Sequence, residues 1–303
     1  MDKFIFFSII IPTYNRLDLL SSCLTSIATV DYPCDNFEVV VVDDGSKTTP
    51  DEIVLSFQTK FNLSLIKQTN SGPASARNRG ANSAIGDYLV FIDDDSVVSK
   101  NWLKELNRMV LEKPDCAIGG AIENALPNNI YATASETIIS YLYSQFNKDP
   151  ENANFLVSNN LLVPKNNFLL VKGFDTNLEI SEDREFCKNW LAASFKLCYA
   201  EKVVIYHKNR TSFKSYWKQQ FIYGRGAYRF NQICQQRYQN SSSLKKSNFY
   251  INLLAFPFKK SSYKQAFPIM FLILLSQIAI FTGYFYEKIF LVYKPLERKG
   301  LTA

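Results

Sequence analysis

Residues 1–201 alternate between continuous apolar runs and apolar residues at helical spacing. The run FFSIII at 6–11 predicts a buried strand, and Leu17, Leu20 and Leu24 then recur every three to four positions, which predicts a helix. Further strands are predicted at 37–42, 63–66 and 88–92, with helical patterns near 51–58, from Pro73 onward and near 100–111. Strands separated by helices favour parallel pairing through right-handed crossovers. The pattern therefore predicts an α/β fold with helices on both faces of a mostly parallel sheet.

Polar clusters follow three of these strands. PTYNR occupies residues 12–16, DDGS occupies 43–46, and three aspartates occupy 93–95. Because ligands of open α/β sheets bind outside the carboxyl ends of the strands, we expect the three clusters to form one site. The turn at 12–16 contains no glycine, which excludes a G-x-G-x-x-G dinucleotide site, and the chain has no G-x-x-x-x-G-K-[ST] phosphate loop. Bound phosphates would need another counter-charge, and the adjacent carboxylates indicate Mg²⁺ or Mn²⁺.

Six segments occur along the chain in the order SIIIPTYNR, VVVDDGS, GPASARNRG, GDYLVFIDDDS, GFD…EDREF and VVIYH. Together they resemble the inverting family 2 glycosyltransferases of the GT-A fold, of a membrane-associated bacterial type. The resemblance covers roughly residues 8–235 and implies a Rossmann-like, mostly parallel sheet with flanking helices. It also implies transfer of a sugar from a nucleotide-diphospho-sugar, with UDP, GDP or dTDP as the nucleotide, to a hydroxyl acceptor.

The resemblance assigns roles to residues of the nucleotide-sugar site. In the first two polar clusters it places Pro12, Thr13 and Tyr14 against the base, and Asp43 or Asp44 as the carboxylate that accepts a hydrogen bond from the base. In GPASARNRG it places Arg77 on the nucleotide. The Asp-x-Asp motif of the family falls on the aspartate cluster, and the residue in its variable middle position, Asp94, belongs to the same nucleotide-sugar site.

The resemblance also implies a metal site and a catalytic base. Asp93 would lie beside the ribose and the metal, and Asp95 would hold a Mn²⁺ or Mg²⁺ ion on the diphosphate. His207, the single histidine of the chain, falls where many GT-A enzymes have a late histidine near the diphosphate or the metal. SEDREF matches the Glu-Asp element of the family, which makes Asp183 the catalytic base.

The same residue types also have purely structural interpretations on the sequence alone. Asp43 and Asp44 suit a turn or a helix cap. Glu182 and Asp183 suit the first turn of a helix, where the dipole favours acidic groups. A single histidine after an apolar strand, such as His207, is often an ordinary hydrogen-bonded residue. These interpretations stay open until the spatial arrangement of the motifs is known.

Charge is distributed very unevenly along the chain. Residues 1–201 hold 17 Lys and Arg against 26 Asp and Glu, whereas residues 202–264 hold 13 basic residues and no acidic one. Such a segment faces phosphates or a lipid surface, because otherwise it repels itself. From Ser212 it interleaves aromatic and basic residues on a helical pattern that glycines at 224 and 226 interrupt. Aromatic and basic residues also bind nucleic acid, but we expect a membrane surface and no nucleic acid as the partner.

Residues 266–286 carry no charge and are long enough to cross a hydrocarbon core of about 30 Å. Lys259, Lys260 and Lys264 precede this segment, which indicates that the catalytic body faces the cytoplasm. The segment could cross the bilayer, lie in the interface, form a hairpin with residues 248–258, or be a core helix. We therefore expect a catalytic domain at 1–210, a basic amphipathic helical segment at 211–264 and an apolar helix with a tail at 265–303.

Two remaining features concern the compartment. The six cysteines form no C-x-x-C pair, which indicates free thiols in a reducing environment, and the apolar start continues into PTYNR without a signal-peptide cleavage site.

We therefore expect a metal-dependent inverting glycosyltransferase at the cytoplasmic face of the cell membrane, with a lipid-linked or envelope glycan as acceptor. A nucleotidyltransferase that makes activated sugars is the alternative enzyme class. A catalytically silent sugar- or nucleic-acid-binding module is the non-enzymatic alternative.

Overall fold

The computed structural model describes residues 3–239 and 247–293 of the chain. The chain divides into two compact units, Met1–Asn209 and Arg210–Ala303. The first unit holds all six segments that resemble the glycosyltransferase family. The second holds the predicted basic segment and the predicted apolar helix, of which residues 240–246 and 294–303 lie outside the described residues.

The first unit is built on a sheet of eight strands among the described residues. They are β1 (Phe7–Thr13), β2 (Phe37–Asp43), β3 (Asn62–Lys67), β4 (Tyr88–Ile92), β5 (Ser96–Val98), β6 (Ala117–Asn124), β7 (Asn160–Pro164) and β8 (Leu197–His207). Their order across the sheet is β3-β2-β1-β4-β7-β6-β8-β5. The first four strands pair in parallel, as do β6 and β8, whereas β7 is antiparallel to β4 and β6, and β5 is antiparallel to β8. The predicted mostly parallel sheet is therefore confirmed.

Helices connect the strands of this sheet, as predicted. They are α1 (Leu17–Ile27), α2 (Asp51–Phe57), α3 (Pro73–Ser83), α4 (Trp102–Glu112), α5 (Ile130–Phe146), α6 (Lys165–Leu170) and α7 (Glu182–Ala192), with a short 3-10 helix at Cys34–Asn36. The apolar side chains of α1 and α4 join one buried cluster, and those of α3 and α7 join another. The helices therefore cover both faces of the sheet.

Strand β1 shows why the sequence carries continuous apolar runs. Ile9 and Ile11 belong to one buried cluster and Ile10 to the other, because successive side chains of a strand point to opposite faces. Helix α3 packs very closely on β1, since a Cβ atom built on Gly80 would lie 2.5 Å from Cγ2 of Ile10. Glycine at position 80 thus allows the approach that sets the position of α3.

The sheet brings the predicted polar clusters to one edge. Parallel pairing of β1 and β2 sets Thr13 beside Asp43. Strand β4 ends at Ile92, directly before the three aspartates, and the antiparallel pairing of β5 with β8 sets Ser96 beside His207. The expectation that these clusters meet at the carboxyl ends of the strands is therefore confirmed.

The second unit is helical in its described residues. Its helices are α8 (Phe213–Tyr238), α9 (Ser247–Ala255), α10 (Pro257–Lys260) and α11 (Tyr263–Tyr293). The expectation that glycines interrupt α8 is wrong, because the helix continues through both of them. A Cβ atom on Gly224 would collide with the backbone carbonyl oxygen of Ile280 in α11. The close contact between the two helices therefore outweighs the low helix propensity of glycine, about 1 kcal/mol relative to alanine.

Helix α11 contains the uncharged segment 266–286. Among the described residues it is the one helix whose length and composition would allow it to cross a membrane, with a mean hydropathy of 2.0 over Tyr263–Ile289. The same length and composition occur in the core helix of a soluble protein. These two properties are therefore shared by membrane-spanning helices and core helices.

Candidate active site

Asp94, the middle aspartate of the cluster, is held by the turn after β1. Its side chain accepts a hydrogen bond from the hydroxyl of Thr13 at 2.8 Å and another from Nη1 of Arg16 at 3.1 Å. Asp94 is 3% exposed. Burial raises the pKa of its carboxyl to about 6, and the Arg16 guanidinium opposes that rise. The carboxylate of Asp94 is therefore part of a buried hydrogen-bond network.

Asp95 lies between a guanidinium and an imidazole. Its Oδ2 accepts a hydrogen bond from Nη1 of Arg16 at 3.1 Å, and its Oδ1 lies 3.0 Å from Nε2 of His207. The backbone carbonyl of Asp95 accepts a hydrogen bond from the backbone N–H of Lys208 at 2.8 Å, next to the β5–β8 ladder. The structure thus brings together Asp95 and His207, two of the three residues predicted for the metal site.

Arg77 links the third metal candidate, Asp93, to α7. Its Nη2 donates to Oδ1 of Asp93 at 2.6 Å, and its Nη1 donates to Oε1 of Glu182 at 2.9 Å. The Arg77 side chain is only 4% exposed. A buried guanidinium needs compensating carboxylates, and here they come from two distant motifs. Arg77 is therefore a fixed bridge between the aspartate cluster and the Glu-Asp element.

Asp183, the predicted base, stands beside Glu182 in the first turn of α7. Its Oδ1 accepts a hydrogen bond from the backbone N–H of Arg184 at 2.7 Å. Burial, together with the neighbouring carboxylate of Glu182, raises the pKa of Asp183 to about 7. A carboxyl group whose pKa lies near neutrality can both accept and release a proton at physiological pH. Its surroundings therefore suit a general base.

The two aspartates of DDGS are buried and have protein partners. The Asp44 carboxylate accepts hydrogen bonds from Nε2 of Gln68 at 2.8 Å and from the backbone N–H groups of Ser71 at 2.8 Å and Gly72 at 2.9 Å. Oδ1 of Asp43 accepts from the backbone N–H of Ser46 at 3.1 Å. Asp44 thereby anchors the segment that leads into α3.

The turn after β1 presents different surfaces at successive residues. Pro12 and Thr13 are buried, and the Thr13 hydroxyl is committed to Asp94, whereas the ring of Tyr14 is 45% exposed. The next residue, Asn15, accepts a hydrogen bond from the backbone N–H of Lys47 and so joins this turn to the one after β2. An exposed tyrosine ring beside buried carboxylates offers a stacking surface for a planar base. The contact of residues 12–14 with the base stays a prediction.

The donor atoms near Asp95 fit a divalent cation that the substrate also ligates. In residues 3–239 and 247–293, no three His, Cys, Asp or Glu side chains group closely enough to hold a metal ion by themselves. Asp95 and His207 supply a carboxylate oxygen and an imidazole nitrogen, and Asp93, two residues before Asp95, supplies a second carboxylate. Mg²⁺ commonly uses one or two carboxylates plus substrate phosphates. The residues therefore fit a cation that is held jointly with a diphosphate.

Sequence reasoning missed two charged residues of the site. Arg16 forms ion pairs with two aspartates, and Glu182 compensates the charge of Arg77. Arg16 lies in the glycine-free turn at the edge of the sheet where the carboxylates cluster, and that position was a usable signal. The Glu182 contact joins two helices that are far apart in the sequence, so no local pattern indicated it.

Two relatives with assigned activities share most of this chain's length. Glycosyltransferase AglE from Haloferax volcanii is 31% identical over 223 residues, which cover 73% of this chain and 72% of AglE. An enzyme from Methanococcus voltae, named as a dolichyl N-acetyl-alpha-D-glucosaminyl phosphate 3-beta-D-2,3-diacetamido-2,3-dideoxy-beta-D-glucuronosyltransferase, is 28% identical over 230 residues and covers 72% of each chain.

A solved structure supports the same fold. The mannosyltransferase PcManGT from Pyrobaculum calidifontis, in complex with GDP-Man and Mn²⁺, matches with a TM-score of 0.61 and 16% identity over 97% of this chain and 82% of its own. The fold is thus the GT-A type that the motifs imply. The sequence profile described as Glycosyl transferase family 2 matches residues 8–168. With that profile covering more than half of the chain and AglE sharing nearly three quarters of it, this protein belongs to glycosyl transferase family 2 and is a glycosyltransferase.

Proposed function

We propose that this glycosyltransferase inverts the anomeric configuration of the sugar that it transfers, with Asp183 as the general base. The observation that carries the proposal is the Arg77 bridge. One guanidinium holds both Asp93, in the motif assigned to the donor, and Glu182, which is the neighbour of Asp183. The base is therefore fixed relative to the donor carboxylates, as a displacement in one step requires.

Asp183 would take the proton of the acceptor hydroxyl as its oxygen attacks the anomeric carbon. A positioned base of this kind contributes about 10²–10⁴-fold to the rate. The bond between the anomeric carbon and the diphosphate oxygen breaks on the opposite side, and its electron pair leaves with the nucleoside diphosphate. No covalent bond to the protein forms, so the anomeric centre inverts once.

The leaving diphosphate gathers negative charge and needs positive charge beside it. Asp95, His207 and Asp93 are the residues that would hold Mn²⁺ or Mg²⁺, and a bound divalent ion supplies Lewis-acid stabilisation of the leaving group. Arg16 is a second positive group at the same carboxylates. Pro12, Tyr14 and Asp43 would bind the nucleobase of the donor. The Arg77 guanidinium would keep Asp93 oriented toward the ribose.

We also propose that the acceptor is a lipid-linked or envelope glycan, met at the cytoplasmic face of the membrane. The Methanococcus voltae relative is named as a transferase for a dolichyl N-acetyl-alpha-D-glucosaminyl phosphate, which is a lipid-linked sugar. Exposed lysines precede the long apolar helix α11, and the anionic lipids of the cytoplasmic leaflet attract basic segments. These features support membrane association, and the acceptor follows from the proximity to lipid that such attachment gives.

The test measures nucleoside diphosphate release by the full-length chain. UDP-, GDP- and dTDP-sugars are offered with Mn²⁺ or Mg²⁺ and a membrane extract as acceptor source, and then with excess chelator. Release that requires metal, with transfer of label to lipid, supports the proposal. Formation of pyrophosphate in place of a nucleoside diphosphate would indicate a nucleotidyltransferase.

A single variant tests the base. Asp183→Asn should lower transfer at least about 10²-fold and leave donor binding, measured by calorimetry, within the range of the wild type. Asp175→Asn is the matched control, because this aspartate lies just upstream of α7 in a turn, where its Oδ1 accepts hydrogen bonds from the backbone N–H and from Nδ2 of Asn177. Full transfer by Asp183→Asn would remove Asp183 from the mechanism.

A further inference from the structure

Helix α11 carries large exposed apolar side chains along one face for almost its whole length. They recur every three or four residues, so they share one side of the helix; we call them the apolar stripe: Tyr263, Phe267, Phe271, Leu274, Ile278, Phe281, Phe285 and Ile289. At about 1.5 Å per residue the stripe is about 40 Å long. A continuous exposed apolar surface of this size marks an interaction site.

The opposite face of α11 is buried and packs on α8. The hydroxyl of Tyr216 donates to the carbonyl oxygen of Leu272 at 3.1 Å. Further along both helices, Gly224 meets the Ile280 backbone, and near the end Nε of Arg225 donates to Glu287 at 2.5 Å. The contact positions advance in the same direction on both helices. Helices α8 and α11 therefore run parallel, side by side.

This arrangement sets the depth that α8 would have if α11 crossed a bilayer. Lys218 is exposed and lies between Tyr216 and Gly224, whose contacts on α11 bracket the middle of the apolar segment Tyr263–Ile289. A crossing α11 would thus hold Lys218 near the centre of a hydrocarbon core about 30 Å thick. A lysine ammonium there is strongly unfavourable, and the side chain is too short to reach the headgroups.

In the described part of the chain, the exposed charged side chains that flank the stripe are all basic. Lys259, Lys260 and Lys264 are exposed just before or within the first turn of α11, and Lys288 is exposed near the end of the stripe. No acidic residue occurs between 202 and 264. Basic groups beside an apolar face match anionic headgroups above acyl chains, and each basic residue near such a surface adds to binding. A second copy of this chain would bring the same positive charges together.

We propose that α8 and α11 lie together in the plane of an anionic membrane surface, with the apolar stripe turned into the acyl chains and neither helix crossing the bilayer. This inference rests on the membrane attachment proposed above and specifies its geometry. The occupant of the stripe is the boundary between headgroups and acyl chains of a phospholipid leaflet.

Spin labels on the full-length chain measure that geometry directly. Cysteine is introduced singly at Phe267, Phe271, Ile278, Phe285 or Lys218 in a Cys34→Ser background, which removes the exposed native thiol. Each labelled chain is bound to phosphatidylcholine–phosphatidylglycerol vesicles, and depth is read from relaxation by oxygen against a nickel chelate. We expect equal depth at the four stripe positions and a water-accessible label at 218. A depth maximum at 278 that falls toward 267 and 285, with the label at 218 equally deep, would overturn the inference.

Vesicle flotation provides the second arm. Phe271→Glu combined with Ile278→Glu should lower vesicle partition at least about tenfold, because both side chains lose their contact with the acyl chains. Leu55→Glu combined with Ile85→Glu is the matched control, since these side chains are 68% and 70% exposed in the first unit. Circular dichroism checks that all variants fold. Equal partition of the stripe variant and the control would contradict the inference.

The remaining outcomes separate this inference from the catalytic proposal. If the wild type does not bind vesicles and the labels of the stripe variants instead couple to each other in solution, the stripe joins two copies, and both the planar geometry and the membrane attachment fail. Nucleoside diphosphate release is measured on the same samples with a soluble hydroxyl acceptor. Its metal dependence and its loss in Asp183→Asn do not depend on lipid, so the catalytic proposal stands or falls separately.

Discussion

Arg16 donates a hydrogen bond from Nη1 to Oδ2 of Asp95 at 3.1 Å, at the same carboxylate that His207 approaches. The side chain of Arg16 is 36% exposed, so it can move away without unpacking the core. A guanidinium in this position reduces the repulsion among the three aspartates when no cation is bound. It also competes with any cation that binds Asp95.

Arg16→Ala should therefore raise the affinity of the nucleotide-free protein for Mn²⁺. Removing the competing charge of the partly exposed Arg16 from the Asp94 and Asp95 carboxylates is expected to tighten binding about two- to tenfold. Electron paramagnetic resonance of free Mn²⁺ measures this without any turnover. Arg108→Ala is the control, because Arg108 also pairs with two carboxylates but on the surface of α4. Weaker Mn²⁺ binding by Arg16→Ala would show that Arg16 supports the site instead of competing with the metal.

The raised pKa of Asp183 predicts the pH dependence of transfer. The base acts in its deprotonated form, so with a pKa of about 7 the rate at saturating donor should rise through pH 7 and fall about tenfold per unit below it. Glu182→Gln removes the neighbouring carboxylate that contributes to the raised pKa, so the rising limb should move to lower pH. A steady-state pH profile of wild type and variant checks both statements. A rate that stays constant from pH 5 to 8 would contradict the assignment of this base with this pKa.

The Arg77 bridge predicts a large loss of stability when it is removed. Arg77→Ala leaves the carboxylate of Glu182 buried without its guanidinium, and breaking a buried ion pair from one side costs about 3–5 kcal/mol. Urea denaturation of the full chain, followed by the fluorescence of buried tryptophans, measures the change. Arg79→Ala, an exposed arginine on the same helix, should change stability by less than about 0.5 kcal/mol. Equal effects of the two variants would mean that the bridge contributes nothing to the fold.

The contact between α8 and α11 depends on glycine at two positions. A Cβ atom on Gly224 would collide with the carbonyl oxygen of Ile280, and one on Gly283 would collide with that of Phe221. Gly283→Ala should therefore push the helices apart and destabilise the second unit by about 1–3 kcal/mol, although alanine favours an isolated helix. Thermal unfolding measures the effect. Thr282→Ala, at an exposed neighbouring position, is the control, and a rise in unfolding temperature for Gly283→Ala would contradict the contact.

Much of the first unit could be predicted because its strands are buried on both faces. Continuous apolar runs such as 6–11 and 37–42 have few other interpretations, and the polar residues after them must lie at the edge of the sheet. The insertion of antiparallel β7 between β4 and β6 could not be predicted. Its pairing depends on contacts between residues far apart in the chain, and its sequence, NLLVP, carries no signal of direction.

The roles of charged side chains were harder to predict than the positions of the strands. The aspartate cluster indicated a missing positive charge, and the sequence reasoning supplied a metal ion. The structure adds Arg16 and Arg77, whose side chains reach the aspartates from another turn and another helix. The low helix propensity of glycine led to the wrong prediction that α8 is interrupted at Gly224. The close contact of Gly224 with the Ile280 backbone in α11 outweighs that propensity.

The three hydrogen bonds that the Asp44 carboxylate accepts affect how mutations of this residue are interpreted. Gln68, Ser71 and Gly72 already use both of its oxygens, and the segment they hold leads directly to the helix that carries Arg77. An Asp44 variant would release the segment before α3, and the displaced helix would move the Arg77 guanidinium away from Asp93. Loss of activity in an Asp44 variant would therefore include the loss of this support, in addition to any lost contact with the nucleobase.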